Sequence, residues 1–174
     1  EIFLSLSIMF LLIVGVFKKD SSKLVHNISL IILLITAVIT FNETLSTEQS
    51  FLFSNSVIID YLSSFMKIIT LLAAFLVLVI SSSYLKNIKI FKIEYPILIL
   101  SSVLGMMIMI SSNDLIVFYM GLELQSLALY VLATFNRDQL KSSEAGLKYF
   151  VLSALSSGLL LYGCSLIYGF TSAT

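Results

Sequence analysis

Residues 115–135 read LIVFYMGLELQSLALYVLATF, a run of 21 residues with a single charged side chain, Glu123. A helix needs about 20 mostly apolar residues to cross a hydrocarbon core of about 30 Å. The run therefore predicts a transmembrane helix. Glu123 is its ninth residue and lies more than two helical turns from either end, too deep to reach the bilayer surface.

The rest of the chain repeats this apolar pattern. Of its 174 residues, 59% are hydrophobic and 11% are charged, and the mean hydropathy is +1.06. Soluble domains carry about 25% charged residues, so this composition excludes a disordered chain, a nucleic-acid binder and an ordinary soluble enzyme. The prediction is an all-α, polytopic bundle in a lipid bilayer, with six spans at 2–17, 27–41, 61–85, 96–112, 115–135 and 145–169.

Polar residues at the ends of the spans support these boundaries. Asp60 and Asp114 each precede an apolar run and are predicted to cap the helix that follows. Ser142 or Ser143 is predicted to cap the last span, with Glu144 in its first turn. In the polar connection 42–60, two short apolar runs at 51–53 and 57–59 predict a small hairpin outside the bilayer.

Basic residues occur in alternate connections only, which predicts the orientation. Cytoplasmic loops are enriched in Lys and Arg, so the first, third and fifth connections are expected on the cytoplasmic or matrix side. Both ends of the chain, including the N-terminus, are then expected on the periplasmic or intermembrane side. The basic residues of these three connections are Lys18, Lys19, Lys23, Lys86, Lys89, Lys92, Arg137 and Lys141; the N-terminus and the other connections carry Glu1, Glu43, Glu48, Asp60 and Asp114.

Three ionisable residues fall inside the spans, where charge is expensive and commonly marks an ion or proton route. Glu123 is the strongest candidate, with Gly121, Gln125 and Ser126 nearby; the alternative is a protonated carboxyl that joins helices. Lys148 follows Glu144 by four residues, the spacing of a surface ion pair. Lys67 lies about one and a half turns into its span, within reach of snorkelling, so its role is open.

Three motifs together carry a resemblance to a known family. They are DLIVFYMGLELQSL at 114–127, EAGLKYF at 144–150 and SSGLLLYG at 156–163. With the opening EIFL, they resemble the N-type antiporter-like subunit of respiratory complex I, which is called subunit 2 in mitochondria. The resemblance spans the chain and is most specific over 114–169.

The resemblance implies roles that the residues alone do not. Glu123 falls on the family's fifth-helix glutamate and Lys148 on its sixth-helix lysine, both implicated in proton translocation; Lys67 matches a less regular third-helix lysine. The family has about fourteen helices, so residues 1–174 are expected to be a single transmembrane domain, the N-terminal fragment of a longer subunit.

The implied activity is that of a proton-translocating membrane-arm subunit of NADH-quinone oxidoreductase, in a bacterial inner or a mitochondrial inner membrane. Its partners would be the other membrane-arm subunits. NADH, FMN, iron–sulfur clusters and quinone would bind elsewhere in the complex, since one cysteine cannot ligate a cluster and no nucleotide motif occurs. The alternatives are a subunit of a multisubunit sodium/proton antiporter and a membrane scaffold without transport.

The charge pattern predicts which loops face which side of the membrane. Cysteines introduced singly by Lys19→Cys and Glu48→Cys, in a Cys164→Ser background, should react with an impermeant thiol reagent from opposite sides. The measurement is labelling of intact cells against inverted vesicles. Reaction of both cysteines from the same side would contradict the six-span topology.

Overall fold

The computed structural model describes residues 1–17, 22–44, 50–53, 55–88 and 90–171. Within these ranges the chain forms six α-helices and one two-stranded hairpin. In chain order they are α1 (Ile2–Phe17), α2 (Ser22–Thr44), β1 (Ser50–Leu52), β2 (Val57–Ile59), α3 (Tyr61–Asn87), α4 (Glu94–Ser111), α5 (Leu115–Ala133) and α6 (Leu140–Thr171). Five helices are long and apolar enough to cross a membrane, and α1 is a shorter apolar helix of 16 residues. The all-α, polytopic prediction is confirmed.

Two of the three predicted helix caps form. The Asp60 carboxylate accepts a hydrogen bond from the backbone N–H of Ser63, whose hydroxyl closes a capping box on α3. The Asp114 carboxylate caps α5 by accepting from the backbone N–H of Ile116. The predicted cap of α6 is wrong, because the helix begins earlier, at Leu140, and the Ser142 hydroxyl donates to the Ala133 carbonyl of the preceding helix.

The predicted hairpin is present, with β1 one residue earlier than expected. Its strands pair antiparallel, and Asn55 in the turn adopts the left-handed conformation that asparagine tolerates, with φ of 71°. Asn113 joins the hairpin to the α4–α5 connection: its backbone N–H donates to the Ser56 carbonyl at 2.9 Å, and its side-chain amide donates to the Asn55 carbonyl at 2.7 Å. The hairpin therefore lies against the ends of α4 and α5.

Contacts at the two ends of the bundle show that successive helices alternate in direction. At one end, His26 and Phe91 stack edge to face, and Lys92 and Arg137 line one cavity. At the other end, the hairpin meets the α4–α5 connection. Basic connections thus share one end, as the charge pattern predicts. Lys18, Lys19, Glu48 and Lys89 lie outside the described residues, and which face is cytoplasmic stays a prediction.

Helix α4 lies at the centre of the bundle. It contacts α1, α2, α3 and α5, whereas α6 packs on α5, with Tyr130 edge-on to Tyr149 and Phe150. The first four helices share one apolar core, so α4 connects that core to the α5–α6 pair. The largest fully buried apolar side chains of the core are Leu4, Leu11, Leu33, Leu71, Leu78, Leu100 and Met107.

The cap of α3 generates a prediction with a defined pH dependence. The hydrogen bond from the Ser63 backbone N–H lowers the pKa of Asp60 below its usual value. A lowered pKa in the folded state means that the carboxylate stabilises the fold at neutral pH, and that this contribution disappears as the pH falls through the folded-state pKa. Asp60→Ala in the full-length subunit should cost about 1 kcal/mol at pH 7, measured by thermal unfolding in detergent.

The matched control is Asp60→Asn, which keeps a capping oxygen but does not ionise. It should unfold close to wild type at pH 7 and show a flatter dependence of stability on acid pH. Equal stability of Asp60→Ala and wild type at pH 7 would show that the cap contributes nothing.

Candidate functional site

Glu123 lies midway along α5 with a carboxylate that is only partly satisfied. The residue is half-buried, and its Oε1 atom is fully buried with no hydrogen-bond partner among the described residues. A buried carboxylate oxygen without a donor is unfavourable by several kcal/mol in an apolar medium. The Oε1 atom therefore requires a proton of its own, a water molecule or a donor from elsewhere in the protein.

The neighbours expected to surround Glu123 with polar groups have other contacts. The Ser126 hydroxyl donates to the backbone carbonyl of Glu123 at 3.0 Å, not to the carboxylate. Gly121 is buried against the backbone of α4 at Gly105 and Met109. No neighbour in the described chain donates a hydrogen bond to the Oε1 atom of Glu123.

Lys67 forms a buried ion pair instead of snorkelling to the surface. Its side chain is 2% exposed, and its Nζ atom lies 2.7 Å from Oε1 of Glu1, which also accepts a hydrogen bond from the Ser111 hydroxyl at 3.0 Å. A small cavity beside the pair, lined by residues that include Thr36 and Thr40, has a volume of about 30 Å³. That volume holds about two water molecules.

Glu1 is the functional-site candidate that sequence reasoning missed. The charge pattern places it only among the acidic residues outside the basic connections, although an intramembrane lysine requires an acid within its reach. Glu1 directly precedes α1 and Lys67 is the seventh residue of α3, so both lie toward the acidic side of the bundle, and that is the signal that could have found the pair.

Lys148 forms the surface pair that its spacing predicts. Its Nζ atom lies 2.6 Å from Oε1 of Glu144, and the two side chains are 68% and 53% exposed in the described chain. An exposed i,i+4 pair stabilises a helix by only about 0.3–0.5 kcal/mol. The three candidate residues are therefore not brought together: Lys67 and Lys148 each have a separate acid, and Glu123 has no ion-pair partner within the described ranges.

Comparison with known proteins agrees with the fold. Residues 112–174, which carry Glu123 and Lys148, match a family model described as the transmembrane region of NADH:quinone oxidoreductase and Mrp antiporters. The whole chain is similar to NADH-quinone oxidoreductase subunit N of Pelagibacter ubique, with 70% identity over 174 residues, covering 100% of this chain and 37% of the relative. Subunit N of Bartonella bacilliformis is 52% identical over 171 residues, covering 98% of this chain and 35% of the relative.

Solved structures share the helix arrangement. A chain of respiratory complex I from Thermus thermophilus superposes with a TM-score of 0.83 at 26% identity, over 98% of this chain and 36% of that one. A chain of an archaeal membrane-bound sulfane sulfur reductase has the same fold, with a TM-score of 0.81 at 21% identity, over 98% of this chain and 36% of that one.

These findings define the class first: the chain is a multi-pass membrane segment of the antiporter-like kind. It spans only about 36% of the length of the relatives it matches. Within that class, the whole chain is similar to about one third of subunit N of bacterial NADH-quinone oxidoreductases, which confirms the resemblance found in the sequence.

The buried pair generates a stability prediction. Glu1→Leu should destabilise the full-length subunit by roughly 3–5 kcal/mol, because it leaves the Lys67 ammonium group buried and unpaired. Lys67→Met should have a smaller effect, because the Glu1 side chain is 30% exposed, and the Glu1→Leu/Lys67→Met double variant should recover most of the loss. The measurement is the free energy of unfolding in detergent.

The matched control is the exposed pair, where Glu144→Ala should cost no more than about 0.5 kcal/mol. Additive losses in the double variant at positions 1 and 67 would contradict a direct interaction between those two side chains.

Proposed function

We propose that this chain belongs to a proton-translocating membrane-arm subunit of NADH-quinone oxidoreductase in a bacterial inner membrane. The observation that carries the proposal is the buried Oε1 atom of Glu123, which lacks a donor among the described residues and lies in the segment matching the family model. The similarity to subunit N of NADH-quinone oxidoreductases in two bacteria supports the assignment to this enzyme.

Glu123 is the group that binds and releases the proton. A cation that approaches a buried carboxylate favours its ionised form, and withdrawal of the cation favours the protonated form. The two groups then titrate as a coupled pair. The cation would come from the part of the subunit beyond the described residues, because Lys67 and Lys148 already have acids at 2.7 Å and 2.6 Å.

Lys148 is the second proposed relay group. Its partner Glu144 lies one helical turn before it on the same helix, so the lysine can leave this acid without any movement of α6. A lysine released from Glu144 can accept or pass on a proton. The pair could in this way transfer a proton from α6 to another helix of the subunit. The Glu1–Lys67 pair is a third relay candidate, and its burial makes exchange slower.

Redox chemistry is assigned to other subunits. The proposal places NADH, FMN, the iron–sulfur clusters and quinone elsewhere in the complex, with quinone reduction as the driving event for proton transfer. The partners of this chain are then the other membrane-arm subunits and the lipid bilayer.

A sodium/proton antiporter subunit is the second candidate, because the matching family model covers Mrp antiporters as well. Proton movement would then depend on a sodium gradient and not on NADH. A non-transport scaffold is the third candidate. Sodium-independent, NADH-driven pumping supports the first proposal, and sodium dependence supports the second.

Substitution of Glu123 tests the proposed role. In the full-length subunit within the assembled complex, Glu123→Gln should lower NADH-driven proton pumping by roughly 100-fold or more, because glutamine keeps the shape but cannot carry a proton. Glu123→Asp should retain part of the activity. The measurement is proton uptake by inverted membrane vesicles together with quinone reduction.

Assembly and a second residue provide the controls. A native gel reports whether each variant assembles, and Lys148→Ala should impair pumping less than Glu123→Gln does. Normal pumping by an assembled Glu123→Gln variant would refute the relay role. Failure of Glu123→Gln to assemble, with normal assembly of Glu123→Asp, would instead assign Glu123 to a structural ion pair.

A further inference from the structure

Helices α4 and α5 touch through their backbones at the level of Glu123. A Cβ atom added at Gly105 would lie 2.6 Å from the backbone nitrogen of Gln125 and 2.8 Å from the carbonyl oxygen of Gly121. A Cβ atom added at Gly121 would lie 2.8 Å from the backbone nitrogen of Met109. The obstructing atoms are backbone in every case, so no side chain can rotate away to make room.

The helical repeat places Glu123 opposite this contact. Gly121 and Gln125 are four residues apart and share the side of α5 that faces α4. Glu123 lies two residues from each, about 200° around the helix at 100° per residue, so its Cβ projects from the far side of α5. The backbone of α4 is therefore the support directly behind the carboxylate.

Other glycines of the chain do not have this environment. A Cβ atom added at Gly15 would meet only a side-chain methyl group of Ile93, at 2.8 Å, and an isoleucine methyl can shift. Gly158 and Gly163 have no atom within 4 Å of the added Cβ in the described chain. At Gly146, where α6 meets the end of α5, an added Cβ atom would first meet the side chain of Thr134 and would lie 3.3 Å from its backbone nitrogen. The contacts of 3.0 Å or less with backbone atoms are therefore those of Gly105 and Gly121, at the α4–α5 crossing beside Glu123.

We propose that Gly105 and Gly121 are positioning residues that fix the distance between the Glu123 carboxylate and the group that exchanges protons with it. This inference rests on the proposed function of Glu123. An ordinary van der Waals contact needs at least 3.4 Å, so a methyl group at position 105 pushes α5 away by about 1 Å. The push is along the direction in which Glu123 projects.

A displacement of that size is enough to disturb catalysis. Misplacement of a reacting group by about 1 Å can lower a rate by about 100-fold. Gly105→Ala changes no charge, so the number of ionisable groups stays the same. The substitution is expected to lower the rate of proton transfer only through the position of the Glu123 carboxylate. The carboxylate remains present but is displaced by about 1 Å in the direction away from α4.

The experiment uses Gly105→Ala in the full-length subunit of the assembled complex. NADH-driven proton uptake by inverted vesicles should fall at least tenfold, with a shifted pH profile, while a native gel shows normal assembly. Combining Gly105→Ala with Glu123→Asp should recover part of the lost pumping, because aspartate is one methylene shorter and withdraws the carboxylate. Gly15→Ala is the control and should pump as wild type does.

Each outcome decides the inference. Normal pumping and an unchanged pH profile in Gly105→Ala would overturn it. Loss of assembly in Gly105→Ala that Glu123→Asp does not restore would also overturn it, in favour of a packing role. Normal pumping in Glu123→Gln would refute the proposed function itself, a result distinct from either outcome at Gly105.

Discussion

Hydrocarbon offers no hydrogen bonds, so every ionisable group inside this bundle needs its partner within the protein. The first four helices meet that requirement for Lys67, which is 1% exposed and pairs with Glu1. The pair joins the start of α1 to α3, and the Ser111 hydroxyl joins it to the end of α4. One electrostatic contact thus fixes three helices at the acidic end of the bundle, around the apolar core that the same helices share.

The same constraint gives Glu123 a different position. Its helix is held from behind by the backbone of α4, through the glycines at 105 and 121, so α5 cannot move toward the core to find a donor. In front, the described chain supplies no partner for the Oε1 atom. The Glu123 side chain therefore projects from the side of α5 that is opposite to α4, and the backbone of α4 holds α5 in place. Such an arrangement suits a group that meets a second element of the same subunit.

Local signals in the sequence predicted much of the fold, and non-local contacts account for what they missed. Asp60 and Asp114 cap their helices because a cap involves only residues two or three positions apart. Ser142 failed as a cap because its hydroxyl reaches the Ala133 carbonyl across a turn, which lets α6 start at Leu140. Spacing along one helix also cannot reveal a partner 66 positions away, which is why the sequence leaves the role of Lys67 open and does not single out Glu1.

The candidate site also combines features that local sequence signals predict with features that depend on non-local contacts. Depth alone identified Glu123, because at least eight residues of apolar helix on either side exclude snorkelling. No expected neighbour donates to its Oε1 atom, since residues at positions i±2 of a helix face away from residue i and the Ser126 hydroxyl bonds to the backbone. Two intramembrane groups on different helices therefore differ in kind. Lys67 has its acid within the first four helices and stabilises them, whereas the Oε1 atom of Glu123 has no donor among the described residues, which is the condition that the proposed proton exchange requires.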